Sequence, residues 1–142
     1  MKKHTLVVVD GKGGGLGRAI VEALLRLDRT DLAIAAVGTN AAATGNMLAG
    51  GAKDGATGEN AICCMAVRAD VILGPMAILV ADAMMGEITP RMAQAIAQSP
   101  APKLLLPMQR CGVRVLGASD APVRELLAGL GPALEELLDG EV

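Results

Sequence analysis

Between Asp10 and Arg18 the chain reads Asp-Gly-Lys-Gly-Gly-Gly-Leu-Gly-Arg. Glycines let a backbone take positive φ and come close to a ligand. Where such a turn opens a helix, the first N–H groups lack intrahelical partners and carry partial positive charge. The chemistry this suits is holding a phosphate, so Asp10, Gly11, Lys12, Gly13, Gly14, Gly15, Leu16 and Gly17 are candidate cofactor-binding residues. Gly11, Gly15 and Gly17 fit G-x-x-x-G-x-G, whereas G-x-G-x-x-G is met only if Lys12 replaces its first glycine. The plainer reading of the same glycines is a tight turn that packs helix on strand.

Other residues bear on what the phosphate would belong to. Gly38, Thr39 and Asn40 follow the second apolar run and offer polar groups for a ribose, although Thr39 or Asn40 serves equally as a helix cap. Dinucleotide sites commonly carry an acid at that point, and here there is none. The spacing of Gly11, Gly15 and Gly17 is that of short-chain dehydrogenases. Their mechanism is excluded because it needs a catalytic tyrosine and the chain has none. A P-loop lacks its Lys-Ser/Thr pair, since Gly17-Arg18 stands there. Gly58, Glu59 and Asn60 end a second glycine-bearing loop that could form an anion nest and face a substrate, or simply start a helix with an acid in its first turn. Glu59 is the first candidate for a general acid/base. Cys111 is the second catalytic candidate, as a reactive thiol, because Arg110 beside it could lower its thiol pKa and could itself hold a substrate phosphate or carboxylate. Asp82 and Glu87 flank Met84-Met85-Gly86, and Asp82 is expected at the surface. With one His and no spaced Cys pair, no metal site is expected, and Cys63-Cys64 read as small core residues.

The elements that must position these residues alternate strand and helix. Thr5–Val9 is a β-branched strand and Leu16–Leu27 a helix with Ile20, Leu24 and Leu27 inward. Leu32–Val37 is a second strand, Ala41–Leu48 a helix, Gly50–Gly58 a loop and Glu59–Arg68 a helix. Asp70–Leu73 is a third strand, stopped by Gly74 and Pro75. Met76–Met85 is apolar nearly all round and reads as a buried helix. Thr89-Pro90 opens a helix to about Gln98. Lys103–Leu106 is a fourth strand and Val113–Leu116 a fifth. The link between those last two is too short for a parallel crossover, so the fifth is expected antiparallel if they are neighbours. A final leucine-rich helix starts at Asp120-Pro122 and breaks at Gly131-Pro132. The fold class expected is α/β, three-layered, with a mostly parallel five-strand sheet over a single domain, residues 1–142. In such sheets ligands sit outside the carboxyl ends of the strands, where the polar and turn-forming residues gather, Gly74 and Pro75 among them.

Composition narrows the function. The 142 residues are 52% hydrophobic and 20% charged, with net charge −2 and no Phe, Tyr or Trp. That argues against disorder, against a basic nucleic-acid surface, and against base stacking on aromatic side chains. The longest apolar run, Val71–Ala81, is too short to span a membrane and no signal-peptide pattern is present, so a soluble cytoplasmic protein is expected. A positive mean hydropathy on a short chain favours a homo-oligomer.

Five segments in order carry a resemblance: Val9–Gly17, Gly38–Asn40, Gly55–Ala61, Gly86–Pro90 and Leu106–Cys111. Together they resemble a family of short bacterial proteins known as a domain of unknown function with a Rossmann-like fold. The resemblance covers nearly the whole chain and excludes Cys63-Cys64. It implies a stand-alone nucleotide-binding type of domain and carries no activity with it. The reading that results is a nucleotide- or dinucleotide-phosphate-binding protein, with NAD or NADP as possible cofactors. Its alternative is a non-enzymatic ligand-sensing or scaffolding subunit that uses the same pocket to control assembly.

Overall fold

The computed structural model describes residues 2–107, 112–118 and 120–140. Strand β1 (His4–Asp10) is central, because its valines and leucine have helices to pack against on both sides. It pairs in parallel with β2 (Leu32–Gly38) on one side and β4 (Val71–Pro75) on the other. Outside these lie β3 (Asp54–Thr57) and β5 (Lys103–Leu106), giving the order β3-β2-β1-β4-β5. The connecting helices are α1 (Gly15–Leu25), α2 (Ala41–Ala49), α3 (Glu59–Arg68) and α4 (Pro90–Gln98), followed by α5 (Val123–Ala128) and α6 (Leu130–Asp139).

The period-2 alternation of β1 divides the interior into two cores. Leu6 and Val8 face α1 and the α5–α6 pair, with Ile20, Leu24, Met47, Leu127 and Leu134 buried beside them. Val7 and Val9 face α3 and α4, with Ile62, Ile78, Ile88, Met92 and Ile96. The result is a three-layer, Rossmann-like α/β fold, as the alternation of elements predicts. The chain leaves β1 toward β2 and returns from β3 to β4 on the other side of β1. That reversal places the topological switch point, the usual ligand crevice, at the tips of β1 and β4.

Three expectations are corrected. First, the fifth strand is not Val113–Leu116, whose residues lie in turns and irregular backbone, and no antiparallel strand occurs among the described residues. It is Asp54–Thr57, from within the supposed glycine loop, joined in parallel from Ala35↔Asp54 to Gly38↔Thr57. Its four residues are all exposed, so hydrophobic patterning could not reveal it. Second, Met76–Met85 is not a buried helix. A single 3-10 turn, Met76–Leu79, gives way to tight turns with positive φ at Asp82, Met84, Met85 and Gly86. Third, the C-terminal helix breaks at Gly129. Pro132 falls in the first turn of α6, where its missing N–H costs no helical bond. No helix among the described residues is long and apolar enough to cross a membrane.

Candidate functional site

The loop between β1 and α1 is shaped from within by Asp10. Its side chain is 4% exposed, and its two oxygens accept from the amides of Gly11 and Gly17, each at 2.7 Å. Burial pushes the Asp10 carboxyl above the usual aspartate range, against the pull of those two amides and with a smaller push from the Glu87 charge. Gly14 holds positive φ and donates to the Gly11 carbonyl at 2.9 Å. A Cβ on Gly14 would sit 2.6 Å from the Ala43 carbonyl oxygen, and one on Gly17 2.5 Å from the Met47 sulfur. These two glycines let α1 pack closely on α2 and the sheet. That much agrees with the plainer reading of the motif.

The outer half of the loop is different. Asn40 Nδ2 donates to the Lys12 carbonyl at 2.9 Å and Asn46 Nδ2 to the Gly13 carbonyl at 3.0 Å. The carbonyls are therefore engaged by protein. The amides of Gly13, Gly15 and Leu16 have no acceptor among the described residues. Gly13 and Gly15 are exposed, and a Cβ at either would meet nothing within 4 Å. Three donors without an acceptor among the described residues thus lie beside the exposed Lys12 at the start of a helix, which is an electropositive arrangement.

A carboxylate already lies across the inner half. Glu87 Oε1 accepts from the Lys12 amide at 2.8 Å, from Thr39 Oγ1 at 2.6 Å and from Asn40 Nδ2 at 2.9 Å. The Thr39 hydroxyl, then the Lys12 amide, hold its pKa below the usual glutamate value, outweighing the burial that opposes them. Met84 accompanies it: a Cβ added to Gly11 would lie 2.6 Å from the Met84 sulfur. Residue spacing assigned Glu87 no role and left the tip of β2 without an acid. The structure brings Glu87 to that tip from a segment 47 residues away. Its only signal in the sequence was an acid beside glycine and methionines, which spacing alone cannot aim.

The remaining candidates are gathered at the same edge. Asn40 is also the N-cap of α2, its Oδ1 accepting from the Ala43 amide at 2.9 Å. Gly38 is hemmed in: a Cβ there would meet Thr44 Oγ1 at 2.4 Å, and one on Gly74 would meet the Val9 carbonyl at the same distance. Pro75 ends β4. Thr44, missed from sequence, is 6% exposed. Its hydroxyl accepts from the Gly38 amide at 3.1 Å and lies 2.8 Å from Thr57 Oγ1, tying β2 to β3. The Gly58 amide donates to the Gly38 carbonyl at 2.9 Å, which brings the start of α3 alongside. Glu59 there accepts from Thr89 Oγ1 and pairs with Arg91 at 3.3 Å. The Thr89 hydroxyl first, and Arg91 second, hold its carboxyl below the usual glutamate range, so it is an acceptor rather than a proton donor at neutral pH. Asn60 is exposed on the first turn of α3. Asp82 is exposed. Arg110 and Cys111 lie outside the described residues. Cys63 is half-buried and Cys64 exposed, so the pair is less interior than expected. No metal-holding group of His, Cys, Asp and Glu occurs among the described residues.

Two cavities lie away from this edge. One, about 180 Å³, is lined by leucines of β5, α5 and α6; the other, about 430 Å³, lies between α3 and α4 beside Cys63 and Arg91. At the tips of β1 and β2, Met84 and Glu87 lie against Gly11 and Thr39.

Among solved structures, a dodecameric FMN-dependent UbiX-like decarboxylase from Escherichia coli O157:H7 is similar to this chain. The TM-score is 0.45 at 18% identity, over 94% of this chain and 75% of that one. A likeness at that level bears on neither ligand nor assembly here. No curated protein matches the chain. Residues 5–138 match the model of a family described as a domain of unknown function, DUF3842, and the chain belongs to that family.

Proposed function

We propose that this protein binds the phosphate of a nucleotide or dinucleotide at the β1–α1 loop, residues 10–18. The observation that carries the reading is the division of labour along the loop. Asp10 satisfies the inner amides of Gly11 and Gly17, and two asparagines take the carbonyls of Lys12 and Gly13. The amides of Gly13, Gly15 and Leu16 are left for an acceptor from outside, with Lys12 beside them. Thr39 and Asn40 would meet the ribose side, with Gly58, Asn60 and Arg110 toward the rest of the ligand. A nicotinamide dinucleotide is one member of that class. Glu59, ionised and held by Thr89 and Arg91, is the first residue to test for turnover, ahead of Cys111. A homo-oligomer belongs to the same reading, with exposed Val67 (74%) and Leu116 (91%) as apolar surface to cover.

The test uses Gly15→Ala and Gly13→Ala. Neither glycine has positive φ, and the space beside each is open, so both variants should fold, Gly15→Ala with equal or slightly greater stability. A methyl group there nevertheless blocks close approach of a phosphate to the amides. With no Tyr or Trp the protein is nearly dark at 280 nm, so a co-purifying nucleotide dominates its ultraviolet spectrum. The expected result is a nucleotide identified by mass spectrometry on the natural chain and lost from both variants. Full retention by both variants would remove the loop from the reading.

A further inference from the structure

The segment from Val80 to Thr89 follows β4 and reaches the tips of β1 and β2, where Glu87 meets Lys12, Thr39 and Asn40. It is anchored at both ends by Ile78 and Ile88, which are fully buried. Between them the chain holds its own shape. The Asp82 amide donates to the Ile88 carbonyl at 2.7 Å, the Gly86 amide to Asp82 at 3.0 Å, and the Ile88 amide to Ala83 at 3.2 Å. Four of its residues have left-handed backbone, and three of them, Asp82 (φ 67), Met84 (φ 57) and Met85 (φ 57), are not glycine. Residues other than glycine keep that conformation only where their surroundings hold them in it. Met85 cannot be held by its side chain, which is 92% exposed. Ala83 and Met84 pack against the core beneath, and the tip is held down by the grip of Lys12, Thr39 and Asn40 on Glu87, with Met84 against Gly11.

We propose that residues 80–89 are a strap that gates the phosphate cradle, with the Glu87 carboxylate standing in as an internal anion until a ligand phosphate displaces it. The inference rests on the reading of the β1–α1 loop as a phosphate site. A phosphate on the Gly13, Gly15 and Leu16 amides would lie close to the fixed negative charge of Glu87, and like charges at such range repel. It would also compete for the donors that hold the strap. Release frees the Lys12 amide, Thr39 Oγ1 and Asn40 Nδ2 for the ligand and uncovers Gly11. Binding and opening are thus one equilibrium, and whatever favours the closed strap weakens the ligand.

Two substitutions push this equilibrium in opposite directions. Glu87→Ala removes the latch. Met85→Asn keeps the latch and relieves the backbone, because asparagine tolerates the left-handed region better than methionine. Amide hydrogen exchange by NMR on the full chain, with inorganic pyrophosphate as probe, reads both. Glu87→Ala should speed exchange of the Lys12, Asp82, Gly86 and Ile88 amides and tighten pyrophosphate, each by about tenfold. Met85→Asn should slow the same amides and weaken pyrophosphate. Unchanged strap exchange in Glu87→Ala, or pyrophosphate affinity shifting the same way in both variants, would overturn the gate. Pyrophosphate that perturbs the Gly13 and Gly15 amides with equal affinity in all three proteins would leave the cradle standing and remove the strap. Pyrophosphate that perturbs those amides in none of them, even with the strap released, would remove the cradle and the gate with it.

Discussion

Two carboxylate clusters at opposite edges of the sheet are held in different ways. At the amino-terminal edge Arg29 reaches both Asp31, just before β2, and Asp139 at the end of α6, while His4 lies 3.6 Å from Asp31. Acid meets cation there. The guanidinium holds Asp31 down to about 2 and Asp139 below its usual range, and Arg29 rises in return. At the carboxyl-terminal edge Asp10 and Glu87 are met by backbone amides, a hydroxyl and a carboxamide instead. Neutral donors stabilise a carboxylate without cancelling its charge. The first cluster shares one guanidinium, whereas the second, among the described residues, has no cation paired with Asp10 or Glu87 and lies beside amides with no acceptor. Acids held on a guanidinium fasten the fold; amides without an acceptor are the donors a ligand can use.

The comparison breaks most visibly at Asp10. Asp10→Ala strips the acceptor from two inner amides, one of them the start of α1. A buried donor left without a partner costs about 1–3 kcal/mol, so the variant should lose about 3 kcal/mol of stability. Urea unfolding should show this as a lower midpoint at unchanged slope. A variant as stable as the natural chain would mean that water serves these amides as well as Asp10 does.

A smaller effect is expected at Thr44, which joins the tips of β2 and β3. Thr44→Val keeps the shape and removes the acceptor for the Gly38 amide and the contact with Thr57. The expected loss is about 1–2 kcal/mol. It should be accompanied by faster amide exchange along Asp54–Thr57, because β3 has no buried residue to hold it by packing. Exchange that rises equally in β1 and β4 would place the effect in the core instead.

Much of this edge was legible in the sequence, for a physical reason. Strands β1, β2 and β4 are buried on both faces and write themselves as continuous apolar runs. The helices after them are marked by caps such as Asn40 and Thr89-Pro90. β3 was not legible because its stability comes from ladder bonds and the Thr44 hydroxyl, neither of which needs an apolar residue. Residues 76–89 misled because apolar content without periodicity fits a buried helix and a folded strap equally well. The glycine string announced a tight turn correctly. Nothing in it told Gly14 and Gly17, which pack, from Gly13 and Gly15, which face open space. That distinction depends on Ala43 and Met47, placed there by α2.

At the amino-terminal edge the expected effects are smaller still. Arg29→Met removes the cation shared by Asp31 and Asp139, and at Asp139, whose side chain is 55% exposed, water takes over much of its role. The stability loss should be less than that of Asp10→Ala and should shrink further with added salt. The cradle amides of Gly13 and Gly15 should not shift in the NMR spectrum, since the two edges lie at opposite ends of the strands.

Acid separates the edges by sign. Asp31 is lowered from 3.8 to about 2 on folding, so its stabilisation is present at neutral pH and is lost as pH falls through that window. Glu87 is also lowered, so its hold on the strap weakens as pH falls below 4.5. Asp10 is raised, so folding favours its protonated form and its contribution runs the other way, declining as pH rises through its folded value. The carboxyl-terminal edge therefore carries opposed terms that partly cancel, while the amino-terminal edge carries terms of one sign. In Arg29→Met the fall of stability between pH 3.8 and about 2 should flatten relative to the natural chain. In Glu87→Ala that same fall should persist, with the lowered Glu59 and the opposite slope of Asp10 left at the carboxyl-terminal edge. Carbon-detected titration of the carboxyl groups, read beside urea midpoints at each pH, measures both. Equal flattening in the two variants would mean that the edges are not electrostatically independent.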